Sequence, residues 1–291
     1  MKPPVFDYYD PRSVEEALKL LNDNAGESKV LSGGQSLMPL LNMRLVRPKV
    51  IIDINRIEDL NYVRPWEKGL AVGAGVPQQA IERDRQFADR FPILCEAARH
   101  IAHPQIRSRG TICGSVAHAD PAAELPALVM ALGAEMVAAG SNGTRTIPCD
   151  EFFVSFFTTS LLPNEMLTEV RFPAPPAQMA WSFLEVSRRH GDFALVGVVA
   201  GLSLDQTRKA ITEARLVYFG VGPTPVRVKE AEQLLVGQAP GGTAFQAASD
   251  AVSKGLDPDN DLHASAEYRR SVAGTLTRRS LDQAWRKLGG N

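Results

Sequence analysis

Two glycine-containing stretches carry residue types that could bind a phosphate group. The first reads Ser32-Gly33-Gly34-Gln35-Ser36-Leu37 and follows a short apolar run, Lys29–Leu31. Adjacent glycines let the backbone turn sharply and approach a ligand without interference from Cβ atoms, and a concave row of backbone amides suits a phosphate or pyrophosphate. A tight turn that needs positive φ would use the same glycines, so this stretch alone does not decide between the two.

The second stretch shares these properties and favours the binding interpretation. Residues 109–126 read Arg-Gly-Thr-Ile-Cys-Gly-Ser-Val-Ala-His-Ala-Asp-Pro-Ala-Ala-Glu-Leu-Pro. Small and hydroxyl-bearing residues again accompany glycine, and the stretch runs into a predicted helix start. The sequence has no nicotinamide fingerprint, because Gly73-Ala74-Gly75 and Gly220-Val221-Gly222 lack the third glycine. We predict that those two segments are turns.

Together the two stretches resemble the flavin-binding loops of the FAD-containing medium subunit of the molybdenum hydroxylases, the xanthine dehydrogenase and carbon monoxide dehydrogenase family. That family shows a small-Gly-Gly-polar-Ser loop, then a Thr-Ile-Gly-Gly-Asn-like loop that leads into an Asp-Pro-Ala segment. The resemblance continues to the C-terminus and implies that backbone amides hold the FAD pyrophosphate. The cofactor-binding residues that it implies are Ser32, Gly33, Gly34, Gln35, Ser36, Leu37, Thr111, Cys113, Gly114, Ser115, Ala117, His118, Asp120, Glu124, Leu161, Leu162, Glu185 and Phe193.

Some of these positions depart from the family pattern. Cys113 stands where glycine is common, so we expect ordinary backbone angles there. Leu184 and Glu185 occupy the place of a lysine that many members carry near the flavin. A carboxylate cannot donate as an ammonium does, so the donor to the isoalloxazine edge stays open.

Several implied contacts have equally plausible structural alternatives. His118 is either a hydrogen-bonded structural residue or a flavin contact. Asp120 either touches the ligand or, with Pro121 at the first helical position, caps the following helix. A hydrophobic residue of the segment before Pro163 covers the flavin ring in the family, and Leu161 or Leu162 would do so here unless it is an ordinary loop residue.

Hydrophobic periodicity predicts alternating helices and strands before a Pro-rich segment. A capping box at Ser13-Val14-Glu15-Glu16 begins the first helix. Further helices are predicted near Met38–Arg44, Pro77–Arg83 and Phe91–His100, and strands near Lys29–Leu31, Val50–Ile54, Leu70–Val72, Glu135–Ala139 and Leu167–Phe172. Another helix runs through Leu128 to Leu132, and Pro126 means that it is either kinked or starts late.

Beyond the predicted linker Pro173–Pro176, strand-like runs precede helical ones. Trp181–Val186, Leu195–Leu204 and Ala214–Val221 predict an antiparallel meander, followed by helices at Val228–Leu235, Thr243–Lys254 and Ala266–Leu288. The fold class is therefore α+β. With the resemblance, we expect a two-part, PCMH-like α/β FAD-binding domain at 1–173, with subdomains of about 1–56 and 57–173. A smaller α+β domain of the CO dehydrogenase flavoprotein type, with an antiparallel sheet and a helical bundle, would cover 177–291.

Composition limits the partners and the compartment. The 291 residues carry a net charge of −1, which argues against nucleic acid or an anionic membrane as the main partner. Cys95, Cys113 and Cys149 match no spacing of zinc or iron–sulfur ligands. The N-terminus lacks the apolar core of a signal peptide, and the longest apolar run, around Phe193–Leu204, is too short to span a bilayer. We expect a cytoplasmic protein without membrane insertion.

The resemblance implies an oxidoreductase subunit that transfers electrons. They would start at molybdopterin in a large subunit, pass through [2Fe–2S] clusters of a small subunit, and leave from FAD on this chain to a terminal acceptor. The assembly would be a dimer of heterotrimers. The residues show no acid–base constellation of their own, in agreement with chemistry that belongs to a cofactor. Two alternatives stay open: a stand-alone FAD-dependent oxidase or monooxygenase, and a non-catalytic scaffold or maturation factor.

Overall fold

The first unit of the fold is a small parallel sheet with its helices. The computed structural model describes residues 2–176 and 178–290; residue 177, where the second domain is predicted to begin, lies outside the described residues, as do 1 and 291. The elements are β1 (Asp7–Tyr9), α1 (Val14–Asp23), β2 (Ser28–Leu31), α2 (Leu37–Asn42) and β3 (Val50–Asp53), with sheet order β1-β3-β2. Ser13 caps α1 by accepting a hydrogen bond from the amide of Glu16, which confirms the predicted helix start.

The second unit is an antiparallel sheet with a long helical excursion between its strands. It contains β4 (Val63–Trp66), β5 (Gly69–Gly73), α3 (Gln79–Arg83), α4 (Arg85–Arg90), α5 (Pro92–Ala98), α6 (Pro104–Arg107), α7 (Ile112–His118), α8 (Glu124–Leu132), β6 (Glu135–Gly140), β7 (Gly143–Pro148), α9 (Cys149–Phe152), β8 (Phe153–Ser155), β9 (Thr158–Thr159) and β10 (Glu165–Phe172). The strands pair in the order β4-β5-β10-β6-β7, and β8 pairs with β9. The helical excursion between β5 and β6 carries the second glycine stretch.

Two sequence expectations in this region need correction. The stretch that was expected to be a loop, Thr111–Ser115, is the N-cap and first turn of α7, because the Thr111 hydroxyl accepts a hydrogen bond from the amide of Gly114. Asp120 does not cap α8. Its carboxylate accepts from the amide of Ala122, 2.9 Å away, and the helix starts late, at Glu124. Pro126 therefore falls in the first turn, where proline costs little.

The C-terminal unit is an antiparallel meander followed by three helices, as predicted. Strands β11 (Ala180–Ser187), β12 (Ala194–Leu204), β13 (Ile211–Phe219) and β14 (Val226–Arg227) pair in chain order, and α10 (Lys229–Leu235), α11 (Gly242–Gly255) and α12 (Ala266–Lys287) follow. Among the described residues, none of the helices combines the length and the apolar character needed to cross a membrane.

The C-terminal sheet is buried on both faces, which explains why β12 is an almost uninterrupted apolar run. One face, with Val199 and Phe219, belongs to the hydrophobic core that it shares with the second unit. The opposite face, with Val198 and Tyr218, packs under α10–α12. The sheet thereby joins the C-terminal helices to the part of the fold that carries the glycine stretches.

A glycine in this sheet offers a test of the packing. Gly197 pairs directly with Phe219 across β12 and β13, and a Cβ atom at Gly197 would overlap the Phe219 ring. We predict that Gly197→Ala lowers the free energy of unfolding by about 1–3 kcal/mol, because overpacking forces the ring to move. Denaturant unfolding measures the change. Gly242→Ala is the matched control, since its added methyl would meet no atom within 4 Å, and an equal loss there would contradict the explanation.

Candidate functional site

A cavity of about 720 Å³ lies where the first two units meet the start of the C-terminal sheet. Its size falls within the range of about 300–1,000 Å³ that is typical of small-molecule and cofactor sites. Sixteen of the predicted residues line it: Ser32, Gly33, Gly34, Gln35, Ser36, Leu37, Thr111, Cys113, Gly114, Ser115, Ala117, His118, Asp120, Glu124, Leu161 and Phe193. The fold therefore brings together stretches that are about eighty residues apart in the sequence.

The structure places the other two predicted residues away from the cavity wall. Leu162 is 54% exposed and lies just beyond Leu161, which does line the cavity. The Glu185 side chain is buried, with one carboxylate oxygen 3.2 Å from Nδ1 of His100. A direct contact of Leu162 or Glu185 with a ligand stays a prediction from the sequence.

The two glycine stretches touch each other at the cavity wall. Gly33 lies against the main chain of Arg109 and Gly110; a Cβ atom at Gly33 would stand 2.6 Å from the Gly110 Cα and would overlap the Arg109 carbonyl oxygen. The hydroxyl oxygens of Ser32 and Thr111 are 3.0 Å apart and share a hydrogen bond. Only glycine at position 33 permits this approach.

Gly34 has a different reason to be glycine. Its φ of +72° lies in the left-handed region and turns the chain from β2 into α2. The loop is then held by side chains, because Gln35 Nε2 donates to the Gly33 carbonyl at 3.1 Å and Asn55 Nδ2 donates to the Ser32 carbonyl at 2.8 Å. These bonds fix the conformation of the loop, and they do not involve the backbone amide hydrogens of residues 35 and 36.

A third segment, Ala74–Gln78, connects the two stretches. The sequence did not predict it as part of the site. The Ser32 hydroxyl donates to the Ala74 carbonyl at 3.2 Å, and the Gln78 amide donates to the Gly110 carbonyl at 2.7 Å. Gln78 lines the cavity and is 6% exposed, and its Oε1 has no hydrogen-bond partner among the described residues. A buried acceptor without a partner is costly, so Gln78 is a strained point of this wall. Its sequence signal was weak, because it is one of two adjacent glutamines at a helix start.

The N-terminus of α7 depends on Thr111. Its Oγ1 lies 3.0 Å from the amide nitrogen of Gly114, and a Cβ atom at Gly114 would stand 2.6 Å from the same oxygen. Glycine at 114 therefore makes room for the cap. Cys113 lies in the first turn with helical backbone angles, which confirms the expectation for that residue.

Burial shifts the pKa values of three ionisable side chains of the wall toward their neutral forms. Burial raises the pKa of Glu124 to about 8. Burial likewise raises the pKa of Asp120 and lowers the pKa of His118, because removal from water disfavours a charge of either sign. A neutral carboxyl group does not repel an anionic ligand, so Glu124 is compatible with a phosphate in the cavity.

Large apolar side chains surround the mouth of the cavity. Leu45, Phe157 and Phe193 line the cavity and yet are each more than half exposed. Phe157, which has φ of +52°, also packs its ring against His118, with 5.1 Å between ring centroids. Of these, only Phe193 was predicted, because Leu45 and Phe157 stand outside recognisable motifs and reach the cavity through the tertiary fold.

These features fit a flavin dinucleotide. The Ser32–Ser36 loop and the N-terminus of α7 lie at one wall of the cavity, and apolar side chains at the mouth offer surfaces for an aromatic ring. The residues that would hold the cofactor are those of both glycine stretches, with Leu161 and Phe193 as the apolar part.

Comparison with known proteins agrees with this assignment. The model of the FAD binding domain in molybdopterin dehydrogenase matches residues 4–175, and that of the CO dehydrogenase flavoprotein C-terminal domain matches residues 181–284. The 6-hydroxypseudooxynicotine dehydrogenase complex subunit alpha of Paenarthrobacter nicotinovorans is 44% identical, over 98% of this chain and 96% of its own.

Solved structures of the same kind superpose over nearly the whole chain. A chain of carbon monoxide dehydrogenase from Hydrogenophaga pseudoflava has a TM-score of 0.95 at 38% identity, and one of quinoline 2-oxidoreductase from Pseudomonas putida 86 has a TM-score of 0.94 at 35% identity; each match covers 99% of both chains. The fold and site define a flavin-binding subunit of an oxidoreductase. The chain belongs to the FAD-binding medium subunits of the molybdenum hydroxylases, the xanthine dehydrogenase and carbon monoxide dehydrogenase family. The predicted family and α+β fold are thereby confirmed.

The cap of α7 provides a test of how the site is built. We predict that Thr111→Ala destabilises the fold by about 0.5–2 kcal/mol, because the amide of Gly114 loses its acceptor. The same change removes the hydrogen bond to Ser32, so FAD retention should fall as well. Thr111→Ser keeps the hydroxyl and should behave like the wild type in both denaturant unfolding and flavin absorbance. If the serine variant loses as much as the alanine variant, the hydroxyl is not the cause.

Proposed function

We propose that this chain transfers electrons through FAD, from [2Fe–2S] clusters of a small partner subunit to a terminal acceptor. The observation that carries the proposal is the cavity formed by the two glycine stretches, in a chain that matches subunits of dehydrogenase complexes over almost its whole length. When bound, FAD supplies the redox chemistry, and the chain's own residues bind it, orient it and exclude water.

Individual residues have distinct tasks in this proposal. The amides of the Ser32–Ser36 loop bind the pyrophosphate, and Thr111–Ser115, at the start of α7, lines the wall next to it. Leu161 and Phe193 flank the flavin ring, and Glu124 contacts the cofactor from the inner wall.

The surface around the cavity suits a partner that delivers electrons. Phe156, Phe157, Leu162 and Phe193 are each between 48% and 61% exposed. Exposed apolar side chains that cluster at a site mark protein–protein contacts. Among the described residues, His, Cys, Asp and Glu form no group of three or more that could hold a metal ion, so the clusters belong on a partner.

The proposed assembly contains two further subunits. A large subunit with molybdopterin oxidises the substrate, a small subunit carries the [2Fe–2S] clusters, and two such heterotrimers form a dimer. The relatives agree with a role in a complex, since that of Paenarthrobacter nicotinovorans is named as one subunit of a dehydrogenase complex. The substrate is bound by the large subunit in this arrangement.

The cofactor site is tested by Gly33→Ala. The added methyl would separate the two glycine stretches, and overpacking of this kind costs about 1–3 kcal/mol. We expect FAD affinity to fall roughly tenfold to hundredfold, at about 1.4 kcal/mol for each factor of ten. Titration of the apo-protein with FAD, followed by flavin fluorescence, measures the change. Gly242→Ala, far from the cavity on α11, should bind FAD like the wild type; unchanged affinity in Gly33→Ala would contradict the assigned site.

The electron-transfer role is tested by anaerobic reduction of the flavin. In the isolated FAD-loaded chain, small organic substrates should leave the absorbance of oxidised flavin unchanged. A reduced small subunit should bleach it, because electrons enter through the partner. Rapid and stoichiometric bleaching by an organic substrate would instead establish a stand-alone oxidase. A chain that binds no flavin would point to a scaffold or maturation factor.

A further inference from the structure

A second cluster of ionisable groups lies behind the wall of the cavity. The Glu185 side chain is 4% exposed, and its Oε1 lies 3.2 Å from Nδ1 of His100. Its Oε2 is buried without a hydrogen-bond partner among the described residues. The His100 ring packs against Phe183, with centroids 5.1 Å apart, and also lies beside the ring of His190. The pair of Glu185 and His100 is therefore fixed in place, with one free carboxylate oxygen.

Glu124 lies between this pair and the cavity. It lines the cavity and is 5% exposed, in the first turn of α8. The negative charge of Glu185 raises the pKa of Glu124, and the charge on His100 lowers it. Burial has the largest effect and brings the pKa to about 8. A carboxyl group with these neighbours changes its protonation state near neutral pH when a further charge appears in the cavity.

The other elements that pack on α8 contribute few charges near Glu124. Asp120, in the turn before the helix, raises the pKa of Glu124, and His118 of α7 faces Asp120. β12 has no ionisable residue. Arg215 of β13 donates to the Ala131 carbonyl at the far end of α8, and Asp150 of α9 and Arg227 of β14 lie near that same end, beside Cys149. The charge pair of Glu185 and His100, with Asp120, therefore sets the charge environment of Glu124.

We infer that Glu124 binds a proton when FAD in the cavity is reduced, with Glu185 and His100 as the residues that position and tune this proton site. The inference rests on the proposed function, since it requires FAD in this cavity. Two electrons, supplied by the partner's clusters, add two negative charges to the flavin ring. At alkaline pH, where Glu124 is ionised before reduction, one proton binds the ring and the second binds the carboxylate of Glu124, so that two electrons and two protons are taken up with no net change in charge.

Proton binding to Glu124 and reduction of the flavin are linked in both directions. Because a proton on Glu124 stabilises the reduced flavin, Glu124 binds that proton more tightly when the flavin is reduced. Glu124 is already protonated well below its pKa and can take up no proton there. Above that pKa it is ionised while the flavin is oxidised, and reduction raises its affinity for a proton. The extra proton uptake is therefore expected on the alkaline side only.

The test counts protons during electrochemical reduction of the FAD-loaded full chain, in weak buffer with a pH-indicator dye. At about pH 9 the wild type should take up more protons per flavin than Glu124→Gln, by about half a proton or more. At about pH 6.5 the two proteins should take up the same number of protons. Glu185→Gln removes a charge that raises the pKa of Glu124. The pKa of Glu124 should therefore fall in this variant, and the extra proton uptake should begin at a lower pH than in the wild type. Glu15→Gln, an exposed change on α1, is the control and should match the wild type.

The possible outcomes separate the two proposals. Equal proton counts for loaded wild type and Glu124→Gln at about pH 9 would overturn the proton site alone, since flavin binding would be intact. An unchanged pH range of proton uptake in Glu185→Gln would also overturn the proton site. This second variant tests the proton site even if Glu124→Gln does not fold. A wild-type chain that shows no bound flavin by absorbance would overturn the proposed function, and the proton site with it.

Discussion

The close contact between Gly33 and the main chain of Arg109–Gly110 is the constraint on which the site depends. It joins the end of a parallel strand to a helical excursion of an antiparallel sheet, two parts that otherwise have separate strand pairings. No side chain separates the two backbones, so their polar groups face one cavity. The bonds that join the neighbouring segments of this wall, such as that between Ser32 and Thr111 or between Gln78 and Gly110, require this distance to be kept.

The C-terminal unit also fixes the cavity, although neither glycine stretch belongs to it. The Gly220 amide donates to the Pro121 carbonyl just before α8, and Arg215 donates to the Ala131 carbonyl near its end, each at 2.8 Å. The helix that carries Glu124 is thus held at both ends by the C-terminal sheet. Gly191–Phe193, in the turn between β11 and β12, completes the wall. A flavin site of this shape therefore needs both halves of the chain.

The sequence predicted what depends on local signals and missed what depends on distant contacts. The helix after Ser13 and the apolar strands were found because capping and periodicity are local. α7 was missed because Gly114 lowers helix propensity, and its cap is recognisable only once Thr111 is seen to accept from that residue. Asp120 with Pro121 matched a common cap pattern, but the carboxylate closes a turn instead. Gln78 and Phe157 reach the cavity only through tertiary structure.

Two buried glutamates show how the surroundings of a carboxyl group decide its preferred protonation state. Glu169 is 3% exposed and Glu124 is 5% exposed. Burial would raise the pKa of Glu169, but hydrogen bonds from Tyr62, Arg171 and Arg64 outweigh it and hold the pKa below its usual value. Glu169 is therefore a permanent anion that binds three side chains around β10. Among the described residues, no side chain donates to Glu124, and burial dominates its pKa.

The difference follows from where each side chain lies. Glu169 is surrounded by donors from its own sheet, so its charge is satisfied before any ligand binds. Glu124 opens on a cavity and has a second carboxylate, Glu185, behind it. Its charge is therefore left to be decided by what occupies the cavity. A buried acid without side-chain donors is destabilising for the free protein, and its place in the cavity wall leaves it open to a ligand that binds there.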